Sequence, residues 1–567
     1  MPGHQLPFAK VLSRIFPLTV LALWAAACSH GSQVPSDVAN VTTCSVPSAT
    51  VASWFKSGSV TLDGEVTPAD SINFTNHPNC DFHVWSERMF LWLTSPTPPS
   101  YGGGGGRIFA SPAFFDVSPE GPGQVRTLIA HKVGLPMNLT LREAQKGPHE
   151  LPIVQDRRNG RLFELAPTPI SERKLQMIRN TAGELVEIQR AEFNGDRPPT
   201  LFDPQGRKID FLRPRDRNLK PREIVQIQKF TFNGKIVLFS LFGDFLQAEQ
   251  AEADLGVLMA QNNSLVYYTI EVNDVYGYFA SGVNSGAITA THFPLSASDE
   301  APILAYAATK GVASFPDAEA LAIELKTSWV EAVNLPSGCN YITMKAEIPD
   351  YDTSNSSVWP QTGTRIATLA MVGMHVVGST KVHPEMIWAT FEHICNAPTT
   401  SYTYNGSSLG QSGPGETGPW LLSSTDTPVT PVVSRMFYNN MVNPHQIEAN
   451  SGDTIGPTDV QRLMPWGLPG TSSTGSNTEV IAVNHSVLSQ LASGDLRANY
   501  VMTGSTWQPN GNMNFPAVGT NQLAATSMET FAQPSNCFDC HDGTINPLGD
   551  SSGNGLSHIF GEIQPLP

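Results

Sequence analysis

Charge is scarce in this chain, and positive charge is scarcer. Only 15% of its 567 residues are charged, and 34 basic against 50 acidic side chains leave a formal net charge of −16. A surface of that sign repels polyanions, which excludes nucleic acid as a partner and disfavours an anionic membrane face. Basic or neutral partners fit better. The sequence also lacks H-E-x-x-H, the helical zinc motif of metalloproteases. Its apolar run Ile15–Trp24 is too short to span a bilayer. Cysteine is sparse and odd in number, with seven residues that each need a role.

Glycine (47) and proline (45) are plentiful, a profile closer to a loop-rich β protein than to a helical bundle. The length suits two to four ordinary domains or one large β body with appendages. Residues 1–27 read as an export signal: Lys10 and Arg14 precede the apolar run, and Ala25-Ala26-Ala27 leads into Cys28. The Ala-Ala-Ala-Cys string resembles the lipobox of bacterial lipoproteins, which implies lipidation of Cys28, although Leu23 stands two positions further from the cysteine than usual. Simple cleavage at an Ala-x-Ala site would instead leave Cys28 as a thiol. Ser29 rather than Asp after the cysteine favours, by the same resemblance, the outer membrane of a Gram-negative envelope, facing the periplasm. Either way the mature chain meets an oxidising space.

Residues 28–41 are polar and aperiodic, as a tether is, and a β-rich body is expected over 42–400. The five glycines 102–106 read as a surface connection, since no strand–GxxxxGK–helix context surrounds them. Residues 142–235 are mixed in charge, whereas 236–567 hold 8 basic against 29 acidic residues, so the acidity belongs to the C-terminal part. Alternation predicts strands at Phe230–Phe242, Leu265–Val272, Tyr341–Ile348, Ile366–Val377 and Met386–Cys395, the last two joined through Gly378–Glu385. A capping-box-like Ser314…Asp317 followed by Leu321, Leu325 and Trp329 predicts a helix over Asp317–Val333. Short helices are expected at Asn484–Leu496 and Asn521–Phe531. A Gly/Ser-rich connection at 401–427 precedes a C-terminal region, 428–567.

That region contains Cys537-Phe538-Asp539-Cys540-His541, a C-x-x-C-H string. In an exported chain it is the signature of covalent c-type haem attachment. One helical turn places both sulfurs for thioether bonds to the two vinyl groups, and the adjacent imidazole then faces the iron as proximal ligand. A thioredoxin-like dithiol would need a βαβ context that this stretch lacks, and a zinc site would need a second Cys/His pair nearby. Only 26 residues follow His541, too few for the usual small cytochrome fold, and none is Met. The sixth ligand is therefore His558, or an upstream Met502, Met513 or Met528, or the position is open. A bis-His iron suits electron transfer, and an open one suits ligand activation. The haem segment, 521–567, is expected to pack on preceding elements, with Trp507 and Phe531 as pocket walls.

Assigning Cys28 to lipid and Cys537 with Cys540 to haem leaves Cys44, Cys80, Cys339 and Cys395, an even set for two disulfides. Cys44–Cys80 and Cys339–Cys395 are preferred because each pair lies within one subregion. His375, His383 and His393 read as hydrogen-bonded strand histidines, with Glu392 and His393 on opposite faces.

Trp388–His393 with Asn396, Asn499-Tyr500…Thr503-Gly504…Trp507, and Met528-Glu529-Thr530-Phe531 through Cys537–His541 to Leu556-Ser557-His558-Ile559-Phe560 resemble a family of bacterial exported proteins labelled cytochrome c family protein. The resemblance is clearest over the C-terminal third, and it implies one covalent haem on a large non-cytochrome body with no assigned substrate. The expectation is a mainly β protein with some α: a sandwich-like body, then a short helical haem segment. One-electron transfer with a partner bearing a basic docking face is the expected function. A haem-dependent oxidoreductase of peroxidase or oxygenase type is the alternative, and an envelope binding or structural protein with an accessory haem is a third.

Overall fold

The computed structural model describes residues 34–38 and 44–567, apart from 76–78, 104–105, 122–124, 142–150, 152, 157–161, 167, 195–196, 211–224, 233–234, 241–243, 248–250, 254–255, 408–410, 413–415, 429–431, 433, 440–441, 451–452, 468–473, 509–518, 532, 534–535 and 542–555. The signal, Cys28, most of the tether and Met513 lie outside the described residues. The protein is mainly β, as its composition suggested.

Among the described residues, eleven strands form one large curled sheet: β1 Phe114–Val117, β2 Leu128–Ala130, β3 Met137–Asn138, β4 Tyr267–Asn273, β5 Ile323–Glu331, β6 Thr343–Tyr351, β7 Val358–Thr380, β8 His383–His393, β9 Met436–Asn439, β10 Gln446–Ala449 and β11 Tyr500–Thr506. Their order is β2-β1-β4-β5-β7-β6-β3, with β8 joining β7 to β11 and β10 joining β7 to β9. β7 and β8 form the hairpin expected from the sequence, antiparallel through Gly378↔Ile387 and Thr380↔His383. Chain on both sides of 401–427 thus belongs to the same sheet. A second sheet of six strands lies within residues 153–253, the mixed-charge part of the chain, and has its own small cores, one of them built on Val154, Phe163, Val225 and Ile227.

The helix expected at Asp317–Val333 is instead strand β5, preceded by one 3-10 turn at Ala318–Ala320. Leu321, Leu325 and Trp329 are four apart, and a spacing of four satisfies both the helical period and the strand period of two. β-branched Ile323, Thr327 and Val330, with β4 pairing on one side and β7 on the other, decide for the strand. The helix expected at Asn484–Leu496 lies earlier, at Thr474–Leu488, and Asn521–Phe531 forms turns rather than a helix.

Helix α1, Ser48–Trp54, and helix α2, Cys80–Leu93, open the body. Phe82, Met89, Phe90, Trp92 and Leu93 of α2 are buried in the main core, each worth roughly 1.5–3 kcal/mol of transfer free energy. Helix α3, Asp274–Asn284, covers the sheet elsewhere with α4, Ala297–Thr309, packed against it, and α5, Thr474–Leu488, packs between α2 and β11. The preferred disulfides are both formed, Cys44–Cys80 and Cys339–Cys395. Part of the tether is docked: Asp37 accepts hydrogen bonds from Ser407 N (2.9 Å) and Tyr404 Oη (3.1 Å), and Val34 and Val38 are buried.

Candidate functional site

Two adjacent rows of one sheet face make the floor of the site. Ile270, Lys326, His375 and Thr390 pair successively across β4, β5, β7 and β8, and Glu324, Val377 and Trp388 form the next row. Alternation along each strand puts all seven side chains on the same face, and all seven line one cavity of about 780 Å³. Because the sheet curls, Gln361 and Thr364 near the start of β7 line it too.

The C-terminal segment closes this cavity. Cys537–Cys540 forms a single helical turn, and His541 N donates to Cys537 O at 2.9 Å, so the turn runs on into His541. Asn536 Oδ1 accepts from Phe538 N (2.9 Å), as a helix-capping side chain does. Residues 556–564 dock by several bonds. Arg126 N donates to Glu562 O and Gln564 N to Arg126 O, both at 2.8 Å. Asn284 Nδ2 on α3 donates to Phe560 O and Ile563 O, again at 2.8 Å. Ser557 Oγ donates to Glu324 Oε2 (2.7 Å) and meets Tyr276 Oη (2.7 Å).

Cys537, His541 and His558 all line the cavity. His541 Nδ1 lies 2.8 Å from Leu556 O. A carbonyl only accepts, so Nδ1 carries the proton and Nε2 keeps its lone pair, the state of a metal-ligating imidazole. Burial, and then neighbouring His558, push His541 well below the ordinary histidine value, which keeps the ring neutral. The Trp388 ring rests against His541 with centroids 4.6 Å apart.

These residues fit a c-type haem. The helical turn, the Nε2 lone pair and a cavity within the 300–1,000 Å³ range of cofactor sites meet at one place. Cys537 and Cys540 would hold the macrocycle and His541 the iron. The side chain of Cys540 lies outside the described residues.

The proposed sixth ligands are placed differently. The His558 ring stacks face to face on His541, with centroids 4.0 Å apart and an 18° tilt. An imidazole ligates through a nitrogen in its own plane, so two stacked rings in this arrangement do not bind opposite faces of one iron. Bis-His ligation requires His558 to leave the stack. Met502 is buried in the main core, and Met528 lies in another core cluster, its methyl over Gly373; neither lines the cavity. The expected walls Trp507 and Phe531 are elsewhere as well. Trp507 is stacked on Phe82 at 3.9 Å, and Phe531 packs against Gly256. Large aromatic side chains near the motif in sequence are filling the body's cores, and Trp388 supplies the wall from a distant strand.

All three strand histidines are hydrogen-bonded, as expected, and two of them lie away from the cavity. His383 Nδ1 bonds Glu385 (2.8 Å), and His393 stacks on Tyr341 (3.8 Å) while its Nε2 meets Asn340 O (3.0 Å). His375 differs, because it faces the cavity with Nε2 2.9 Å from Glu529 Oε1 and Nδ1 2.9 Å from Thr390 Oγ1. Burial works against ionisation of Glu529, but the charge and hydrogen bond of His375, with help from Lys326 and the Ala525 N–H, hold its carboxyl down at about 2. The pairing of His375 with a glutamate 154 residues away leaves no local signal in the sequence. Trp388 did have one, since it opens the Trp-Ala-Thr-Phe-Glu-His run.

Compared with known protein families, with curated proteins and with solved structures, the chain matches none.

Proposed function

We propose that this chain is a monohaem c-type cytochrome of the cell envelope whose work is one-electron transfer. Thioethers from Cys537 and Cys540 anchor the macrocycle, and His541 is the proximal ligand. The observation that carries this reading is His541 at the end of the C-x-x-C-H turn, its Nδ1 committed to Leu556 O and its ring opening on a cavity of cofactor size. The haem supplies a one-electron couple; the protein orients the imidazole, excludes water with Trp388 and Ile559, and fastens the segment through Ser557 and Asn284. In this reading a lipid at Cys28 tethers the protein to the outer membrane, facing the periplasm, and the acidic C-terminal part docks a redox partner through a basic face. Association should then slow as salt is added.

The test is maturation in a host that attaches haem c in its periplasm. One haem per chain should survive denaturing electrophoresis and give a pyridine haemochrome spectrum, and Cys537→Ser with Cys540→Ser should abolish it. A wild-type chain exported with both thiols intact but without covalent haem would overturn the proposal.

The stacking of His558 on His541 favours a second reading, a haem-dependent oxidoreductase with an open sixth position. Binding of CO or cyanide distinguishes the two, because a six-coordinate low-spin iron resists both. His558→Ala should leave the spectrum unchanged if the position is open.

A further inference from the structure

The cavity wall carries a chain of three polar side chains that the haem reading leaves without a role. Glu529 accepts from His375 Nε2 in either state of the ring; in the neutral ring Nδ1 accepts from the Thr390 hydroxyl, and in the imidazolium both nitrogens donate, with Glu529 balancing the charge. Thr390 lines the cavity beside His375, which leaves the oxygen of its hydroxyl to receive a further proton. From strand spacing, His375 stands diagonally about 8 Å from Trp388, the residue touching His541. The relay is thus neighbour to the haem position without being one of its ligands, because both nitrogens of His375 are engaged.

The remaining lining indicates what would meet the relay. Five glutamates face the cavity against Arg126 and Lys326, and Arg126 is held by Glu562, so an anion is disfavoured. Leu139, Leu141, Ile270, Ile348 and Tyr268 make much of the wall apolar. That combination selects an uncharged, largely apolar molecule that presents a hydroxyl to Thr390.

We propose that the cavity binds a neutral phenol or hydroquinone as electron donor, and that Thr390, His375 and Glu529 take its proton. The inference rests on the haem reading and deepens it. The donor's O–H bond breaks; its proton passes to Thr390 Oγ1 as the Thr390 proton passes to His375 Nδ1, and Glu529 holds the resulting imidazolium. The donor is oxidised by one electron, with ferric haem c as the acceptor. Losing the proton with the electron avoids a phenolic radical cation in a cavity of low polarity.

The experiment uses the full-length matured protein and hydroquinone as the probe. The rate of haem reduction by hydroquinone, divided by the rate with dithionite, should fall about 10²-fold or more in His375→Gln and in Thr390→Val, the scale of a lost general base. A solvent isotope effect present in the wild type should disappear in both. As a readout apart from turnover, the ¹⁵N signal of His375 should shift when phenol is added to wild type and stay fixed in Thr390→Val. If His375→Gln fails to mature, Thr390→Val decides alone. Haem-loaded variants with an unchanged rate ratio and isotope effect would overturn this inference and leave the cytochrome reading standing. A wild-type chain without covalent haem would overturn both.

Discussion

Glu87 offers a clean measurement of what burial does to a charge in this body. It lies on α2, is 1% exposed, and neither carboxylate oxygen has a hydrogen-bond partner. Burial pushes its carboxyl from the ordinary 4.5 up to about 8. His83, one turn earlier, cannot neutralise it, because burial drives that imidazole down to about 3. The folded state thus holds a protonated Glu87 at neutral pH, while the unfolded chain releases the proton above pH 4.5. The stability associated with this group is therefore complete below pH 4.5, declines as pH rises, and levels off once pH passes about 8. A shift from 4.5 to about 8 corresponds to a loss of about 5 kcal/mol across the window, with about 3 kcal/mol already gone at pH 7. Glu87→Gln keeps the shape and cannot ionise. Urea unfolding followed by tryptophan fluorescence at pH 4.5, 7 and 8.5 should show the two proteins nearly equal at the lowest pH and the variant more stable by roughly 3–5 kcal/mol at the highest. Other titrating groups are common to both proteins and cancel in the difference. Curves that run parallel across the whole range would refute the argument.

Ser557→Ala removes the hydroxyl that bridges Tyr276 and half-buried Glu324, and should lower stability by about 1–3 kcal/mol while raising amide exchange in 556–564; hydrogen-exchange mass spectrometry reads both. Replacing Cys339 and Cys395 together by Ser opens a loop with a sequence separation of 56 and should cost about 2–5 kcal/mol, measured by denaturant unfolding, with an unchanged midpoint counting against the bond. Gly504→Ala would put a Cβ 2.7 Å from Leu523 Cδ2 and 3.1 Å from the Gly467 backbone, at φ +152°, so a loss of about 1–3 kcal/mol is expected in thermal or urea melts.

What could be read in the sequence was whatever is local. The β7–β8 hairpin showed as two apolar runs around a turn, the two disulfides as pairs within subregions, and the C-x-x-C-H turn as a contiguous string. β5 is ambiguous in the sequence because residues four apart suit both periods, and only its neighbours in the sheet settle the matter. The cavity wall was invisible for a different reason. Lys326, His375, Thr390 and Glu529 come from β5, β7, β8 and the turns at 525–529, and strand order, which one sequence does not display, is what brings them together. Trp507 and Phe531 stand near the motif in sequence, but such nearness is a poor guide where the chain returns to a sheet assembled far upstream.

The same topology explains why so short a haem segment would need so large a body. A four-residue helical turn has too few internal hydrogen bonds to persist alone, and nucleating it costs more than it returns. Here Trp388 on β8 covers one side of His541, Leu556 O fixes the imidazole tautomer, and Leu556 itself is held in place by the bonds of Ser557 to Tyr276 and Glu324. The orientation of the His541 ring is therefore set by α3, β5 and β8, elements whose own burial is secured across the whole sheet. A lesion in any of them should disturb the His541 environment, because Phe538, Leu556, Ile559, Phe560 and Ile563 of the segment share one apolar core with Val272, Tyr276, Phe279 and Trp388 of those elements and their neighbours.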